Sequence, residues 1–163
     1  MKTIHITLFL VSCLLLNSCN KNGIKDRIVR IANQRFNRSD SCIIDMREVT
    51  NFKWDRFYLF PTGAGPENID SALEFHYLYY MDTHEQLVFL LGNKITYHEA
   101  NYLYADDHPH GGPVFDIFNS HKLSFSWDSS HSLFRVKKSI SDKNIYYEIT
   151  PINSTSTKNT HQE

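Results

Sequence analysis

Cysteine is scarce in this 163-residue chain, which has three, at Cys13, Cys19 and Cys42. Two fall in the first nineteen residues, so Cys42 stands alone in the body of the chain and no intramolecular disulfide framework can form there. Its apolar, β-branched surroundings read as those of a buried small hydrophobe rather than of an activated thiol. Excess charge of either sign is also lacking: 17 Lys and Arg face 18 Asp and Glu. A near-neutral chain without a basic stripe gives no electrostatic reason to expect a nucleic-acid partner. Long hydrophobic runs are missing too. The longest, at residues 4–16, is about a dozen residues, whereas a bilayer-crossing helix needs roughly 20. With six glycines, the chain contains no Gly-x-Ser-x-Gly nucleophile elbow. The stretch Gly63-Ala64-Gly65 before a helix start could attract an anion, but no Lys-Ser or Lys-Thr follows it, and a turn explains it better.

What is present begins at the amino terminus. Lys2 supplies one positive charge, residues 4–16 form an apolar stretch, and Asn17-Ser18-Cys19-Asn20-Lys21 ends it abruptly. This is the order of an export signal. Leu16-Asn17-Ser18-Cys19 resembles the lipobox of bacterial lipoproteins, with Leu three residues before the cysteine and a small residue just before it. Leu10-Val11-Ser12-Cys13 fits loosely, but its use would leave a very short apolar region and strand Leu14, Leu15 and Leu16 in the mature chain. The resemblance implies that Cys19 receives a diacylglycerol, that cleavage precedes it and that its amino group is often acylated. Each buried methylene contributes about 0.8 kcal/mol, so two or three acyl chains hold a protein on a membrane almost permanently. In enteric lipoproteins Asp after the cysteine retains the protein in the inner membrane. Asn20 is not that signal, which favours the outer membrane, with the domain facing the periplasm or the outside.

The expected organisation is a signal peptide over 1–18, a lipidated tether over 19–23, one domain over 24–152 and a disordered polar tail over 153–163. About 145 residues follow the signal, the commonest size for one core. Ile24, Ile28, Ile31, Ala32 and Phe36 recur at helical spacing, with charges expected on the opposite side. Residues 41–49 and 54–60 read as strands that pair with each other. Pro66 with Glu67 and Asp70 reads as the start of a short helix running to about residue 75. Residues 87–91, a Gly92-Asn93 turn and residues 94–104 read as a hairpin. Alternation at Leu123, Phe125 and Trp127, then strands at 132–138 and 145–149, reads as a meander with one buried face. The sum is an α+β fold: a mostly antiparallel sheet of five to seven strands, with an N-terminal amphipathic helix and a second short helix on one face.

A second resemblance rests on this order: the amphipathic helix, Phe52-Lys53-Trp54-Asp55-Arg56-Phe57-Tyr58-Leu59-Phe60-Pro61, the Glu67-Asn68-Ile69 helix start, and the strand Leu87-Val88-Phe89-Leu90-Leu91. Over residues 24–104 the chain is similar to a group of small uncharacterised bacterial lipoproteins. That likeness implies the class and no mechanism.

Candidate chemistry concentrates in Asp106-Asp107-His108-Pro109-His110-Gly111-Gly112. Two histidines one residue apart can ligate zinc or another divalent metal beside Asp107, provided Asp116 or His121 folds back to complete three or four ligands. Asp, Pro and Gly are equally the ordinary residues of a solvated loop, and no cofactor is expected on balance. Glu67 with Asp70 forms a carboxylate pair already explained by the helix dipole. Trp54-Asp55 and Trp127-Asp128 are too few for a propeller repeat, and their aromatic rings suit either core packing or a recognition surface. The expected function is a membrane-anchored, non-enzymatic domain that binds an envelope protein, as an immunity protein, an inhibitor or a complex subunit. The alternative is a small metal-dependent hydrolase centred on Asp107, His108 and His110.

Overall fold

The computed structural model describes residues 23–36, 39–102, 112–117, 122–141 and 143–152. Helix α1 spans Ile24–Arg35 and buries Ile24, Ile28 and Ala32, one stripe of its surface. Strand β1 (Ser41–Asp45) follows and gives way to a one-turn helix, α2 (Met46–Val49). The strand expected to continue to residue 49 stops because the Asp45 carboxylate accepts a hydrogen bond from the Arg47 amide at 2.9 Å, which starts a helical turn. Met46 and Val49, three apart, then drop into the core.

Two four-stranded sheets form, where one was expected. The first has the order β1, β7 (Leu133–Ser141), β8 (Asn144–Pro151), β5 (Pro113–Phe115). The second has the order β4 (Lys94–Tyr102), β3 (His84–Leu91), β2 (Arg56–Phe60), β6 (Phe125–Asp128). All neighbours are antiparallel except β5 and β8. The fold is thus α+β with eight described strands, more than the five to seven expected. β1 and β2 do not pair: Ile44 lies opposite Phe134 of β7, and Leu59 lies opposite Leu87 of β3 and Phe125 of β6. The expected meander is divided as well, since β6 joins the second sheet while β7 and β8 form a hairpin in the first.

Burial explains the division. The sheets meet through Phe57, Phe89 and Trp127 on one side and Phe115, Phe134 and Val136 on the other, with α1 closing the same core. Phe57 stacks on Phe89 at 4.5 Å between ring centres and on Trp127 at 5.2 Å, and Trp127 meets Phe134 edge-on at 5.1 Å. The other face of the second sheet carries Tyr58, Phe60, Val88 and Leu90 under α3 (Pro66–Leu73), which contributes Ile69 and Leu73. The central strands β2 and β3 are therefore buried on both faces, which accounts for their unbroken apolar runs. It also places α1 and α3 on opposite faces of the second sheet, where a single shared face was expected. No described helix is long and apolar enough to cross a membrane.

Candidate functional site

The first amide of a helix needs a partner, and α1 begins at Gly23 without a side-chain cap. Its partner comes from β4. The Glu99 carboxylate accepts from the Ile24 amide at 2.7 Å and from the Tyr97 hydroxyl at 2.7 Å. A carboxylate at this end also suits the positive pole of the helix. Gly23 leaves room for this contact, since a Cβ there would sit 2.6 Å from Glu99 Oε1 and the carboxylate would have to shift. Burial and the Glu99 hydrogen bond push the Tyr97 hydroxyl well above the ordinary phenol range.

Next to this cap, Lys25 departs from the expected polar side of α1. Its Nζ lies 2.6 Å from Glu85 Oε1 of β3, with the two side chains only 8% and 3% exposed, and 5.7 Å above the Phe115 ring. Burial raises the Glu85 pKa, with Lys25 pulling it down and nearby Glu99 adding to the rise. Sealed from solvent, this pair cannot reach a substrate. It ties α1 to β3.

A Ser, His and Asp do meet at the β6–β7 turn, a grouping that sequence reasoning did not single out although the residues are close neighbours in the chain. Ser130 Oγ lies 2.5 Å from Asp128 Oδ1 and 3.0 Å from His131 Nδ1, and Asp128 Oδ1 also lies 2.9 Å from that same Nδ1. In a catalytic triad the serine and the carboxylate engage opposite ring nitrogens, so that a proton taken at one is balanced at the other. Here both use Nδ1, and the group is a hydrogen-bonded turn. Ser130 and His131 bring the Asp128 carboxyl down to about 2.

The other singled-out residues take structural places. Trp54 and Trp127 are buried in the core, and the Trp54 indole donates to Thr50 Oγ1 at 2.9 Å. Asp55 Oδ2 accepts from the Gly92 amide at 2.6 Å and closes the β3–β4 turn. Gly63 has φ +97° in its turn, and Gly65 precedes α3, where Asn68 Oδ1 reaches back to the Gly65 amide at 3.2 Å. Asp70 is held below the usual carboxylate range by His76, its Nδ1 at 2.8 Å, and by the Tyr77 amide at 2.8 Å. Glu67 stays exposed and takes no part. Cys42 is half-buried on β1, a correction to the fully buried position expected, and burial pushes its thiol up against the pull of Arg35. Asp116 is exposed beyond β5. Cys19 and the metal candidates Asp107, His108, His110 and His121 lie outside the described residues. Among the described residues no three His, Cys, Asp or Glu side chains gather around a common point.

Besides Ile43, Leu91, Leu123 and Leu133, exposed apolar side chains gather in two places. The segment after α3 presents Leu78, 77% exposed, with Tyr79 and Met81. Tyr79 stacks on His98 of β4 at 4.0 Å, and Tyr102, four residues beyond His98 on the same face, lies 5.2 Å from His84. These two ring pairs lie on the α3 side of the second sheet and, with the exposed Leu78 and Met81 that flank Tyr79 in sequence, make up a strip of Leu, Tyr, Met and His. The second place is the tip of the β7–β8 hairpin, where Ile140 and Ile145 face each other across the strands. Compared with protein-family models, curated proteins and solved structures, the chain matches none.

Proposed function

We propose that this chain is a bacterial envelope lipoprotein, anchored through Cys19, whose domain binds another envelope protein without catalysing a reaction. The observation that carries the reading is the strip of Leu78, Tyr79, Met81, His98 and Tyr102. Stacked on His98, the Tyr79 ring offers a large amphipathic contact that loses little conformational freedom on binding, and Tyr is enriched among the residues that dominate protein interfaces. An immunity or inhibitor protein and a subunit of an envelope complex both use such a surface. The anchor rests on Leu16-Asn17-Ser18-Cys19, and the outer membrane, with the domain in the periplasm or outside the cell, is the address that Asn20 supports. The hydrolase alternative depends on Asp107, His108, His110 and His121, and no described side chain adds to it.

The test is affinity capture from crosslinked envelopes with the tagged full chain, alongside Leu78→Asp with Tyr79→Ala, and Cys19→Ala. The native chain should capture one dominant protein, the strip variant should lose it while staying in the membrane fraction, and Cys19→Ala should leave the membrane. Capture unchanged by the strip variant, or none above control, overturns the binding surface. Retention of Cys19→Ala in the membrane overturns the anchor.

A further inference from the structure

We infer that the tip of the β7–β8 hairpin sits in the headgroup region of the bilayer, as a second membrane contact beside the lipid on Cys19. The inference rests on the anchor reading above and adds to it an orientation of the domain.

The chain between anchor and fold is short. Only Asn20, Lys21 and Asn22 separate Cys19 from Gly23, and an extended chain spans at most about 3.6 Å per residue, so Gly23 lies within roughly 14 Å of the lipidated cysteine. Gly23 has little freedom to swing, because Glu99 binds the next amide and its own carbonyl accepts from the Arg27 amide at 3.1 Å. The first turns of α1 are therefore held at the membrane.

The hairpin tip is at the same end of the molecule. Asp26 and Val29 of α1 line a shallow groove of about 410 Å³ together with Pro113, Lys143, Asn144 and Ile145. The inward row of β7 carries Phe134 and Val136 in the core and continues to Ile140, while that of β8 carries Ile149 and Tyr147 and continues to Ile145. Past the core, Ile140 is 72% exposed and Ile145 is 40% exposed. Water is a poor surrounding for a cross-strand isoleucine pair. Two-residue turns of this kind leave the strands fully paired up to Ser141 and Asn144, so the backbone can enter a less polar layer without abandoning its hydrogen bonds. Lys143, at the turn with φ +68°, has a stem long enough to keep its ammonium among headgroups while the isoleucines lie deeper.

The experiment places an indole at the tip. The lipidated full chain carrying Ile140→Trp is reconstituted into vesicles of phosphatidylethanolamine and phosphatidylglycerol with brominated acyl chains, which quench only fluorophores that lie in the bilayer. Ile145→Trp repeats the measurement from the opposite strand, and Ile43→Trp, on a 53% exposed position of β1, is the control. The native Trp54 and Trp127 are buried in the domain core and supply a constant background. At an interfacial depth the introduced indole should lose about half its emission in brominated vesicles and be shielded from aqueous iodide, with the control unaffected by the lipid. If the chain is anchored yet the indoles at 140 and 145 are quenched by iodide and not by the lipid, the orientation is wrong, the anchor stands, and the isoleucines are left as a protein-docking pair. If the native chain does not associate with vesicles through Cys19, the anchor and the orientation fall together.

Discussion

The buried pair of Lys25 and Glu85 offers the sharpest test of how this fold is held. Its charges are 2.6 Å apart, and the side chains are 8% and 3% exposed, so neither can recover its hydration when the other is lost. Removing one partner from such a pair costs about 3 to 5 kcal/mol, whereas replacing both by apolar side chains is often close to neutral. Lys25→Met and Glu85→Met should each fall in that range, and the double substitution should cost far less than the two together. Against a total stability of about 5 to 15 kcal/mol, a single loss is severe. For a domain of about 130 residues, 4 kcal/mol corresponds to a fall in Tm of roughly 15 °C. Urea denaturation of the four proteins, arranged as a double-mutant cycle, gives the coupling directly. The pH dependence has a definite sign. In Lys25→Met the Glu85 carboxyl, already raised by burial, loses the charge that opposed the rise. An acid whose folded pKa exceeds its unfolded value adds stability at low pH and loses it as pH rises through the folded value. The deficit of Lys25→Met should therefore shrink as the pH is lowered from 7 towards about 4.3, the ordinary glutamate value. Single variants that each lose less than about 1 kcal/mol, or effects that simply add, would refute the argument.

Other perturbations reach separate parts of the molecule. Glu99→Ala removes the acceptor of the Ile24 amide and the Tyr97 hydroxyl; a loss of about 1 to 3 kcal/mol is expected, with faster amide exchange in the first turn of α1 as the local signature. Phe57→Ala opens a void where four rings meet and should cost about 3 to 5 kcal/mol in urea denaturation, while Ile43→Ala on the outer face of β1 stays within about 0.5 kcal/mol. Asp45, Asp70 and Asp128 have folded pKa values below the ordinary range through Arg47, His76 and Ser130 respectively. Their stabilisation is present above the unfolded value near 3.9 and is lost as pH falls through each folded value, about 2 for Asp128; the urea midpoint should drop across that window, and Asp128→Asn should make the drop shallower.

Local elements were legible because their signals are local. The apolar spacing of Ile24, Ile28 and Ala32 marks α1, Pro66 opens α3, and Gly92-Asn93 between two apolar strands marks the β3–β4 hairpin. The one-turn helix α2 also had a signal, an Asp45 and Glu48 pair at capping-box spacing, hidden inside a β-branched run. Candidate sites were less legible. The strip joins Tyr79 to His98, a contact that exists only because the segment after α3 folds over β4, and His84 to Tyr102, partners set by the β3–β4 register. The Asp128, Ser130 and His131 cluster is contiguous in sequence, yet only its geometry shows that serine and carboxylate share one ring nitrogen.

By itself the sequence determined the α+β class and the places where its helix and hairpin elements begin and turn, since side-chain period, caps and turn residues act over a few positions. Only the tertiary structure decided that the strands divide into two sheets and that both faces of β2 and β3 are covered, because an apolar run states that it must be buried and not by what. It also decided that Lys25 turns inward. A lysine on a helix becomes a core residue when a distant strand brings a carboxylate such as Glu85 within 2.6 Å of its ammonium, and no pattern within the helix can announce that arrival.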